Sequence, residues 1–260
     1  MTMLKYEREI WTAGFKLVAG VDEAGRGPLA GPVVAGVVIF PPNVRISGVR
    51  DSKVMSPEER EEKIYEIQSR CIAWGVGIVS AQEIDSINIL EATKKAALKA
   101  IESLKIKPDF IITDALKLPY PSAQVKPIIK GDAKSHTIAA ASIIAKVTRD
   151  RIMREYHREY PFYNFNKNKG YATSDHIEAL QKVGPSTIHR FSFKGVSWFD
   201  VDPIKSQTFK NISKEILDTK SANEIRKISE SIEEISSFLP ECEISILRGM
   251  ISDFSAKNNR

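Results

Sequence analysis

Four acidic residues stand at the ends of apolar runs that read as strands: Asp22, Glu23, Asp114 and Asp132. Carboxylates at strand ends in an α/β sheet tend to lie in the crevice where ligands bind, so we expect these four to converge. Converging carboxylates cannot all stay ionised unless a cation neutralises them. Hard oxygen ligands favour Mg²⁺ or Mn²⁺ over zinc, and two such ions would suit in-line cleavage of a phosphodiester.

Each of these carboxylates also has an ordinary structural interpretation. An acid that follows a strand is often only a helix N-cap or a turn residue. Asp22 and Glu23 raise a further question, because neighbours on a strand point to opposite faces of the sheet. Both can serve one site only if the strand breaks at Glu23, which the following Ala24-Gly25 allows.

The elements that must position the carboxylates follow from periodicity and turn chemistry. The predicted strands are 15–22, 31–40, 71–80, 109–113 and 125–130. Pro127 indicates that the last of them lies at a sheet edge. Helices are predicted over about 57–68, over 86–104, over 135–160, and from Thr173 or Ser174 to Gly184. This order indicates an α/β domain with a mixed five-stranded sheet flanked by helices.

Composition divides the chain into two parts. The 260 residues are 42% hydrophobic and 27% charged, which suffices for a sizeable core. From about Ser206 onward the sequence is rich in Ser, Glu and Lys, lacks Trp and Tyr, and keeps helical phasing only in places. We therefore expect a main domain over residues 1–205 and a small helical C-terminal extension over 206–260. The net charge of +5 divides into +6 for the first part and −1 for the second.

Nothing in the sequence predicts a membrane or export signal. Residues 27–44 are uncharged, but their four prolines and three glycines exclude a spanning helix. The first ten residues are charged and lack an apolar signal core. Cys71 and Cys242 are too few for a disulfide scaffold and suit a reducing compartment. We expect a soluble cytoplasmic protein that is a monomer.

One set of motifs is specific enough to suggest a family. Residues 21–33 read Val-Asp-Glu-Ala-Gly-Arg-Gly-Pro-Leu-Ala-Gly-Pro-Val, which resembles the signature of ribonuclease HII, the type 2 ribonucleases H. The resemblance continues in the family's order in Asp51-Ser52-Lys53, Glu83-Ile84-Asp85, Asn88-Ile89-Leu90, Asp114-Ala115, Gly131-Asp132-Ala133-Lys134-Ser135, residues 138–150, Lys169-Gly170-Tyr171 and His189-Arg190. It spans roughly residues 15–196.

The resemblance implies an RNase H-like fold and hydrolysis of RNA in RNA–DNA hybrids. It also implies cleavage on the 5′ side of a single ribonucleotide embedded in duplex DNA, which leaves 3′-hydroxyl and 5′-phosphate ends. The family's metal-binding carboxylates map onto Asp22, Glu23, Asp114 and Asp132, which would hold two Mg²⁺ or Mn²⁺ ions. Its junction-reading loop maps onto Gly25, Arg26 and Gly27, and its junction tyrosine onto Tyr171. The resemblance also favours contact of Lys53 with the scissile phosphate over a merely solvated lysine.

The residue types suit these roles. The 2′-hydroxyl is what distinguishes a ribonucleotide from a deoxyribonucleotide at a given sugar. Glycines let backbone N–H and C=O groups approach that hydroxyl without a Cβ in the way. Tyr171 offers a flat face for a sugar or base and a hydroxyl for hydrogen bonding. The alternatives are an ordinary tight turn for the loop and a packed aromatic for Tyr171.

Two other functions remain open. One is a non-catalytic hybrid-binding protein, which would gain nothing from repelling carboxylates that face phosphate. The other is a related nuclease such as a junction resolvase, which would need no reader of the 2′-hydroxyl. Ribonuclease HIII fits less well, because its loop differs from Gly-Arg-Gly. Departures from the family pattern at Val54-Met55, Asn168, Phe191 and Gly195 concern details of substrate contact.

Three further features have both a functional and a structural interpretation. Tyr160, Phe162, Tyr163, Phe165 and Tyr171 interleave with Lys167 and Lys169, which suits either a surface that tracks nucleic acid or a loop packed on the core. The basic side of the 135–160 helix, which includes Arg149, could meet phosphates. Lys146, Asp150 and Arg154 are four residues apart and could instead pair with one another. His136 and His189 are expected to be structural.

Overall fold

A single mixed sheet forms the centre of the fold. The computed structural model describes residues 3–197, 203–219, 221–236, 244, 247–252 and 254 of the chain. The strands are β1 (Val18–Ala24), β2 (Val33–Ile39), β3 (Ala73–Val79), β4 (Phe110–Asp114) and β5 (Gln124–Ile128), in the order β3-β2-β1-β4-β5. The β1–β2 and β2–β3 pairs are antiparallel, whereas the β1–β4 and β4–β5 pairs are parallel. The predicted mixed sheet and the edge position of the strand with Pro127 are confirmed.

Helices pack on both faces of the sheet. The helices, in chain order, are α1 (Lys5–Thr12), α2 (Pro57–Arg70), α3 (Ala81–Ile87), α4 (Ile89–Glu102), α5 (Gly131–Lys134), α6 (His136–Glu159), α7 (Phe165–Asn168), α8 (Ser174–Val183), α9 (Pro203–Asp218) and α10 (Ala222–Ile235). Helix α6 lies against β1 and β2, and α4 lies against β2 and β3 on the opposite face. The predicted α/β layering is therefore confirmed.

Helix α6 approaches the sheet so closely that two strand positions require glycine. A Cβ at Gly20 would lie 2.4 Å from the carbonyl carbon of Thr137, and a Cβ at Gly36 would lie 2.4 Å from the carbonyl oxygen of Ala141. Gly36 is the register partner of Asp22 in β1. The same close approach therefore brings α6 next to the part of β1 that carries an acidic residue.

The first helix fixes the beginning of α6, and the sequence analysis did not predict it. Glu7 of α1 is fully buried, and its Oε1 accepts hydrogen bonds from Oγ of Ser135 at 2.7 Å and from N–H of Thr137 at 3.0 Å. Ser135 is the N-cap of α6. A carboxylate is stabilising at a helix N-terminus. Helix α1 thus holds the junction between α5 and α6, three residues beyond Asp132.

Two predicted boundaries were wrong. The helix predicted over 86–104 is interrupted at Asn88, which has a φ of 68° and whose side chain accepts hydrogen bonds from the N–H groups of Leu90 and Glu91. The apolar spacing did not reveal this break, because it continues without interruption across Asn88. The Asn88 side chain caps the second helix at that point. Strand β1 also continues past Asp22, since its pairing with β2 extends to Ala24 and Val34.

The chain divides into two compact units. One consists of Met1–Ala172 with Ile188–Ser192, and the other of Thr173–Thr187 with Phe193–Arg260. In the second unit, α9 and α10 contribute an isoleucine cluster of Ile212, Ile216, Ile225, Ile228 and Ile232, so the helical character predicted for the extension is confirmed. The expected boundary at residues 205 and 206 falls within α9, and Cys242 lies outside the described residues. Within the ranges given above, no helix has both the length and the apolar character needed to cross a membrane.

Candidate active site

Three carboxylates from three different elements meet at one place. Asp22 lies in β1, Asp114 is the last residue of the neighbouring parallel strand β4, and Asp132 lies in α5, which begins soon after β5. One oxygen of each carboxylate lies within 4.8 Å of the corresponding oxygens of the other two. Asp22 and Asp132 are each only 5% exposed. The predicted convergence of these three strand-end acids is therefore present in the fold.

Backbone N–H groups hold the three carboxylates in place. The Oδ1 atoms of Asp22 and Asp132 each accept a hydrogen bond from the N–H of the following residue, at 2.8 and 2.9 Å. The Oδ1 of Asp114 accepts one at 2.8 Å from the N–H of Gly131, the residue before Asp132. This last bond ties the end of β4 to the start of α5. The relative positions of Asp114 and Asp132 are therefore fixed by backbone atoms.

The turns that carry two of these acids adopt conformations that are sparsely populated for residues with a Cβ. Ala115, directly after Asp114, has a φ of 54°, and Lys130, two residues before Asp132, has a φ of 57°. Left-handed backbone at a non-glycine residue costs roughly 1 kcal/mol or more and tends to persist where the surrounding structure enforces it. Oγ1 of Thr113 donates to the carbonyl of Leu116 at 2.6 Å and closes the first of these turns.

Burial and neighbouring negative charges raise the pKa values of Asp22 and Asp114. Burial raises the pKa of Asp22 well above its ordinary value, and the charges of Glu23 and Asp114 add to the rise. Burial also raises the pKa of Asp114, and the charge of Asp132 adds to it. A divalent cation would remove both penalties at once, since it replaces the lost hydration and neutralises the charges. The donor set of three carboxylates fits a hard, oxygen-binding cation such as Mg²⁺ or Mn²⁺.

Glu23 lies beside the three-carboxylate group but outside it. The strand does not break at Glu23, contrary to the condition set out above for a shared site, because β1 runs on to Ala24. Oε1 of Glu23 accepts a hydrogen bond from Nη1 of Arg26 at 3.3 Å. Burial raises the pKa of Glu23, and the charge of Asp114 also acts to raise it. Glu23 is thus close enough to sense the cluster while its side chain contacts the glycine loop.

Lys53 contributes a positive charge to the same place. Its Nζ lies 3.0 Å from Oδ2 of Asp132, although the lysine side chain is 74% exposed and comes from a 3₁₀ turn over Ser52–Val54. Partial burial acts to lower the pKa of Lys53, but the hydrogen bond and charge of Asp132 outweigh it, and the pKa is raised. Lys53 therefore stays protonated at neutral pH and faces the carboxylates.

The glycine loop of residues 25–32 is held by two buried arginines through its carbonyl oxygens. Arg149 donates to the carbonyls of Ala30 and Pro32, each at 3.0 Å. Arg190 donates to the carbonyls of Gly25 at 2.6 Å, Arg26 at 3.0 Å and Gly31 at 2.8 and 3.0 Å. Gly25 has a φ of 97°, and a Cβ there would lie 2.1 Å from Nε of Arg149. The loop therefore requires glycine at position 25 for two independent reasons.

Both arginines remain charged despite their burial. Burial lowers the pKa of Arg149 to about 10 and that of Arg190 to about 9, values that leave both protonated near neutral pH. The sequence analysis assigned Arg149 to the basic side of its helix and considered phosphate contact. That assignment was wrong, because Arg149 is completely buried and its guanidinium donates hydrogen bonds to carbonyl oxygens of the glycine loop. Arg149 lies 11 residues, or about three helical turns, after the apolar Ile138 and therefore on the same face of the helix. This spacing was the signal that could have predicted its burial.

Tyr171 lies next to the loop. The atom closest to a Cβ built on Gly27 is Cε1 of Tyr171, at 3.9 Å, and the tyrosine is 44% exposed. Asn168, at a position where the family often has histidine, supports this arrangement. Its Oδ1 accepts a hydrogen bond from N–H of Gly170 at 2.8 Å, and its backbone carbonyl accepts one from N–H of Tyr171 at 3.0 Å.

The aromatic segment before Tyr171 mostly packs on the core. Tyr163 and Phe165 are buried and contact the ring of His189 at centroid distances of 4.7 and 5.7 Å, whereas Phe162 is exposed. The structural interpretation thus holds for Tyr163, Phe165 and His189. His136 is also structural, since its Nε2 accepts a hydrogen bond from N–H of Ile46. The expected pairing of Asp150 holds for Lys146 at 2.8 Å, but Arg154 pairs with Glu61 instead.

Comparison with known proteins agrees with this geometry. A family profile described as Ribonuclease HII matches residues 19–196. The chain belongs to the ribonuclease HII family. The ribonuclease HII of Caldanaerobacter subterraneus subsp. tengcongensis is 55% identical over 189 residues, which cover 72% of this chain and 78% of that protein. The ribonuclease HII of Bacillus subtilis is 53% identical over 199 residues, which cover 76% and 78%.

Solved structures of relatives share the fold. The crystal structure of ribonuclease H2 from Pyrococcus horikoshii OT3 has a TM-score of 0.60 at 32% identity and covers 70% of this chain and 95% of that chain. Ribonuclease HII from Archaeoglobus fulgidus, solved in a complex with PCNA, has a TM-score of 0.59 at 29% identity, with coverage of 68% and 95%. The predicted RNase H-like fold is confirmed.

Membership in this family also establishes the broad activity. The chain is an enzyme, a ribonuclease H that depends on divalent metal and acts as an endonuclease on RNA in RNA–DNA hybrids. The acidic cluster is the group of described side chains that fits the metal requirement. The sequence analysis predicted that Asp22, Asp114 and Asp132 converge, but it did not identify Ser142 of α6, which hydrogen-bonds Asp22, or the two arginines that hold the glycine loop.

Replacement of Asp22 by Asn should stabilise the metal-free protein. Because burial raises the pKa of Asp22 in the folded state, its ionisation costs folding free energy, and that cost grows as the pH rises from the unfolded-state pKa towards the raised pKa. Asp22→Asn removes the charge and keeps Oδ1 as an acceptor. We expect the free energy of unfolding, measured by denaturant titration in EDTA, to be higher for Asp22→Asn than for the wild type.

The gain should shrink as the pH is lowered, because the wild-type carboxyl then takes up a proton. Added Mg²⁺ or Mn²⁺ should stabilise the wild type and not the variant, since a ligand that binds the folded state raises its stability. Glu102→Gln, which neutralises an exposed carboxylate on α4, is the control and should behave as the wild type. An Asp22→Asn variant no more stable than the wild type in EDTA would contradict the raised pKa.

Proposed function

We propose that this ribonuclease HII cleaves RNA in hybrids and also cuts on the 5′ side of a single ribonucleotide embedded in duplex DNA. The products would carry 3′-hydroxyl and 5′-phosphate ends. The observation that carries the proposal is the adjacency of two features: three carboxylates within 4.8 Å of one another, and a glycine loop whose Gly27 lies against Tyr171. The first suits phosphodiester hydrolysis, and the second suits recognition of a ribose.

Asp22, Asp114 and Asp132 would hold the metal, with Glu23 as a fourth ligand. Strand β1 does not break at Glu23, but the carboxylate of Glu23 is close enough for the charge of Asp114 to act to raise its pKa. Two Mg²⁺ or Mn²⁺ ions bound there would supply water activated for in-line attack and would stabilise the leaving 3′ oxygen. The residues themselves hold the reacting groups in place, since Asp114 and Asp132 are fixed through the backbone of Gly131. Lys53, protonated and 3.0 Å from Asp132, would face the negative charge that develops on the scissile phosphate.

The loop would recognise the ribonucleotide through its backbone. Arg149 and Arg190 donate hydrogen bonds to carbonyl oxygens between Gly25 and Pro32, including that of Arg26. These bonds fix the directions of the other backbone groups of Arg26 and Gly27. A Cβ at Gly27 would meet no atom closer than 3.9 Å, which leaves space on this side of the loop for a sugar. Tyr171 would stack on the nucleotide that follows and so distinguish the RNA–DNA junction.

Catalysis is assigned to one part of the chain. Residues 1–205 form the proposed RNase H-like catalytic domain, and residues 206–260 form a helical C-terminal extension to which we assign no role. The expected substrates are RNA–DNA hybrid and ribonucleotide-containing duplex DNA. The thiol of Cys71 is unpaired, which suits a reducing compartment, and we propose a cytoplasmic monomer.

A labelled DNA duplex with one ribonucleotide, and an all-DNA duplex of the same sequence, test the proposal. In Mg²⁺ or Mn²⁺ the wild type should cut the first duplex at a single position, 5′ to the ribonucleotide, and leave the second intact. Asp22→Asn and Asp114→Asn should each lower cleavage to background, because each removes a charge that the metal requires. A folded wild type that cuts neither duplex would overturn the proposal, and equal cutting of both would favour a resolvase-like enzyme.

Substitutions in the loop and at the tyrosine test recognition separately from chemistry. Gly27→Ala should fold normally, since its Cβ has room and its φ is not positive, yet the added methyl group should obstruct the ribose. We expect Gly27→Ala and Tyr171→Ala each to lower kcat/KM on the single-ribonucleotide duplex at least about tenfold, or roughly 1.4 kcal/mol. Tyr65→Ala, at an exposed tyrosine on α2, is the matched control and should not change kcat/KM. An unchanged rate for Tyr171→Ala would leave that residue with a packing role.

A further inference from the structure

Lys53 stands on a turn that cannot by itself fix the position of a long, exposed side chain. The turn over Ser52–Val54 is only three residues long, and a lysine loses up to about 2 kcal/mol of rotamer entropy when it is held in one geometry. The Nζ of Lys53 nevertheless lies 3.0 Å from Asp132. The backbone of the turn must therefore be held firmly relative to the carboxylates.

A buried guanidinium from α2 holds this backbone. Nη1 of Arg60 donates hydrogen bonds to the carbonyl of Ser52 at 2.9 Å and to the carbonyl of Met55 at 2.6 Å. These two carbonyls lie on either side of Lys53 in the sequence. Arg60 is only 8% exposed, so both bonds form away from water, where hydrogen bonds to a charged group contribute most.

The same guanidinium is anchored to α6. Nη2 of Arg60 lies 3.5 Å from Oδ2 of Asp150, and the side chains of both residues are 9% exposed. Oγ of Ser52 is also 2.9 Å from Oγ of Ser142, which lies on α6 and hydrogen-bonds Asp22. The turn that carries Lys53 is therefore tied twice to the helix that packs against β1.

We propose that Arg60, anchored by Asp150, is a positioning residue for the reaction, because it fixes the turn that presents Lys53 to the carboxylate cluster. The inference rests on the proposed function, in which Lys53 faces the scissile phosphate. Arg60 makes no contact with the metal-binding acids and acts through Lys53. Its fork of N–H donors is what the site requires, since one guanidinium serves two carbonyls and a carboxylate at once.

A purely structural Arg60 would only stabilise the packing of α2 on α6. A double-mutant cycle separates the two roles, with kcat on the single-ribonucleotide duplex and the melting temperature both measured for each variant. Arg60→Lys keeps the charge and loses the fork. We expect it to lower kcat about 10- to 100-fold, as a displacement of roughly 1 Å at a reacting group does, with KM within about threefold of the wild type.

The decisive comparison is in the Lys53→Ala background. Positioning through Lys53 predicts that Arg60→Lys lowers kcat no further there, while its effect on the melting temperature stays the same in both backgrounds. A kcat loss of equal size with and without Lys53 would overturn the inference. Wild-type protein that does not cleave the duplex would instead overturn the proposed function, so the two failures are distinguishable.

Two further variants complete the test. Glu61→Gln is the matched control, because Glu61 is the next residue on α2 and joins the same two helices through Arg151 and Arg154, at 2.5 and 2.8 Å, without touching the turn. It should leave kcat unchanged. Asp150→Asn weakens the ion pair between Arg60 and Asp150 from the side of α6. It replaces Arg60→Lys in the double-mutant cycle with Lys53→Ala if Arg60→Lys is too unstable to assay. Loss of kcat in Glu61→Gln equal to that in Arg60→Lys would also count against positioning.

Discussion

Repulsion among the carboxylates of Asp22, Asp114 and Asp132 is the interaction around which the rest of the catalytic unit is arranged. The three acids lie within 4.8 Å of one another; burial and neighbouring negative charges raise the pKa values of Asp22 and Asp114, so their ionised forms oppose folding in the absence of a cation. The fold tolerates this because Asp22 and Asp114 lie on the neighbouring strands β1 and β4, Asp132 lies in α5, and backbone N–H groups hold all three carboxylates. A divalent cation bound among these carboxylates would offset their repulsion.

Two kinds of hydrogen bond hold the acids and the segments around them. Hydrogen bonds from backbone N–H groups fix the acids, whereas hydrogen bonds from buried arginine side chains fix the segments that we propose to meet the substrate. Arg149 and Arg190 hold the glycine loop, and Arg60 holds the turn of Lys53. In each case a guanidinium donates to carbonyl oxygens, which leaves other backbone groups of the same segment to face outward. Helix α6 supplies or anchors most of these contacts, and its start is held by Glu7 of α1.

Much of the site could be predicted from the sequence because its residues stand at the ends of strongly patterned strands. The acids at positions 22, 114 and 132 follow apolar runs, and the parallel pairing of β1 with β4 brings the first two together. Other features have no local signal. The separation of α3 from α4 depends on one left-handed asparagine within a continuous helical pattern. The role of Arg149 depends on residues that are distant in sequence, because its guanidinium donates to carbonyl oxygens such as that of Lys169. Without knowledge of those partners, a charged residue on this helix is predicted to lie at the surface.

The central claim is that the three carboxylates form the metal site, and anomalous scattering from Mn²⁺ tests it most directly. Crystals of the protein would be soaked in MnCl₂, and diffraction would be recorded near the manganese absorption edge. The account predicts an anomalous peak within about 2.0–2.4 Å of carboxylate oxygens from Asp22 and at least one of Asp114 and Asp132. A fully soaked crystal with manganese bound only elsewhere, and the three carboxylates unchanged, would contradict it.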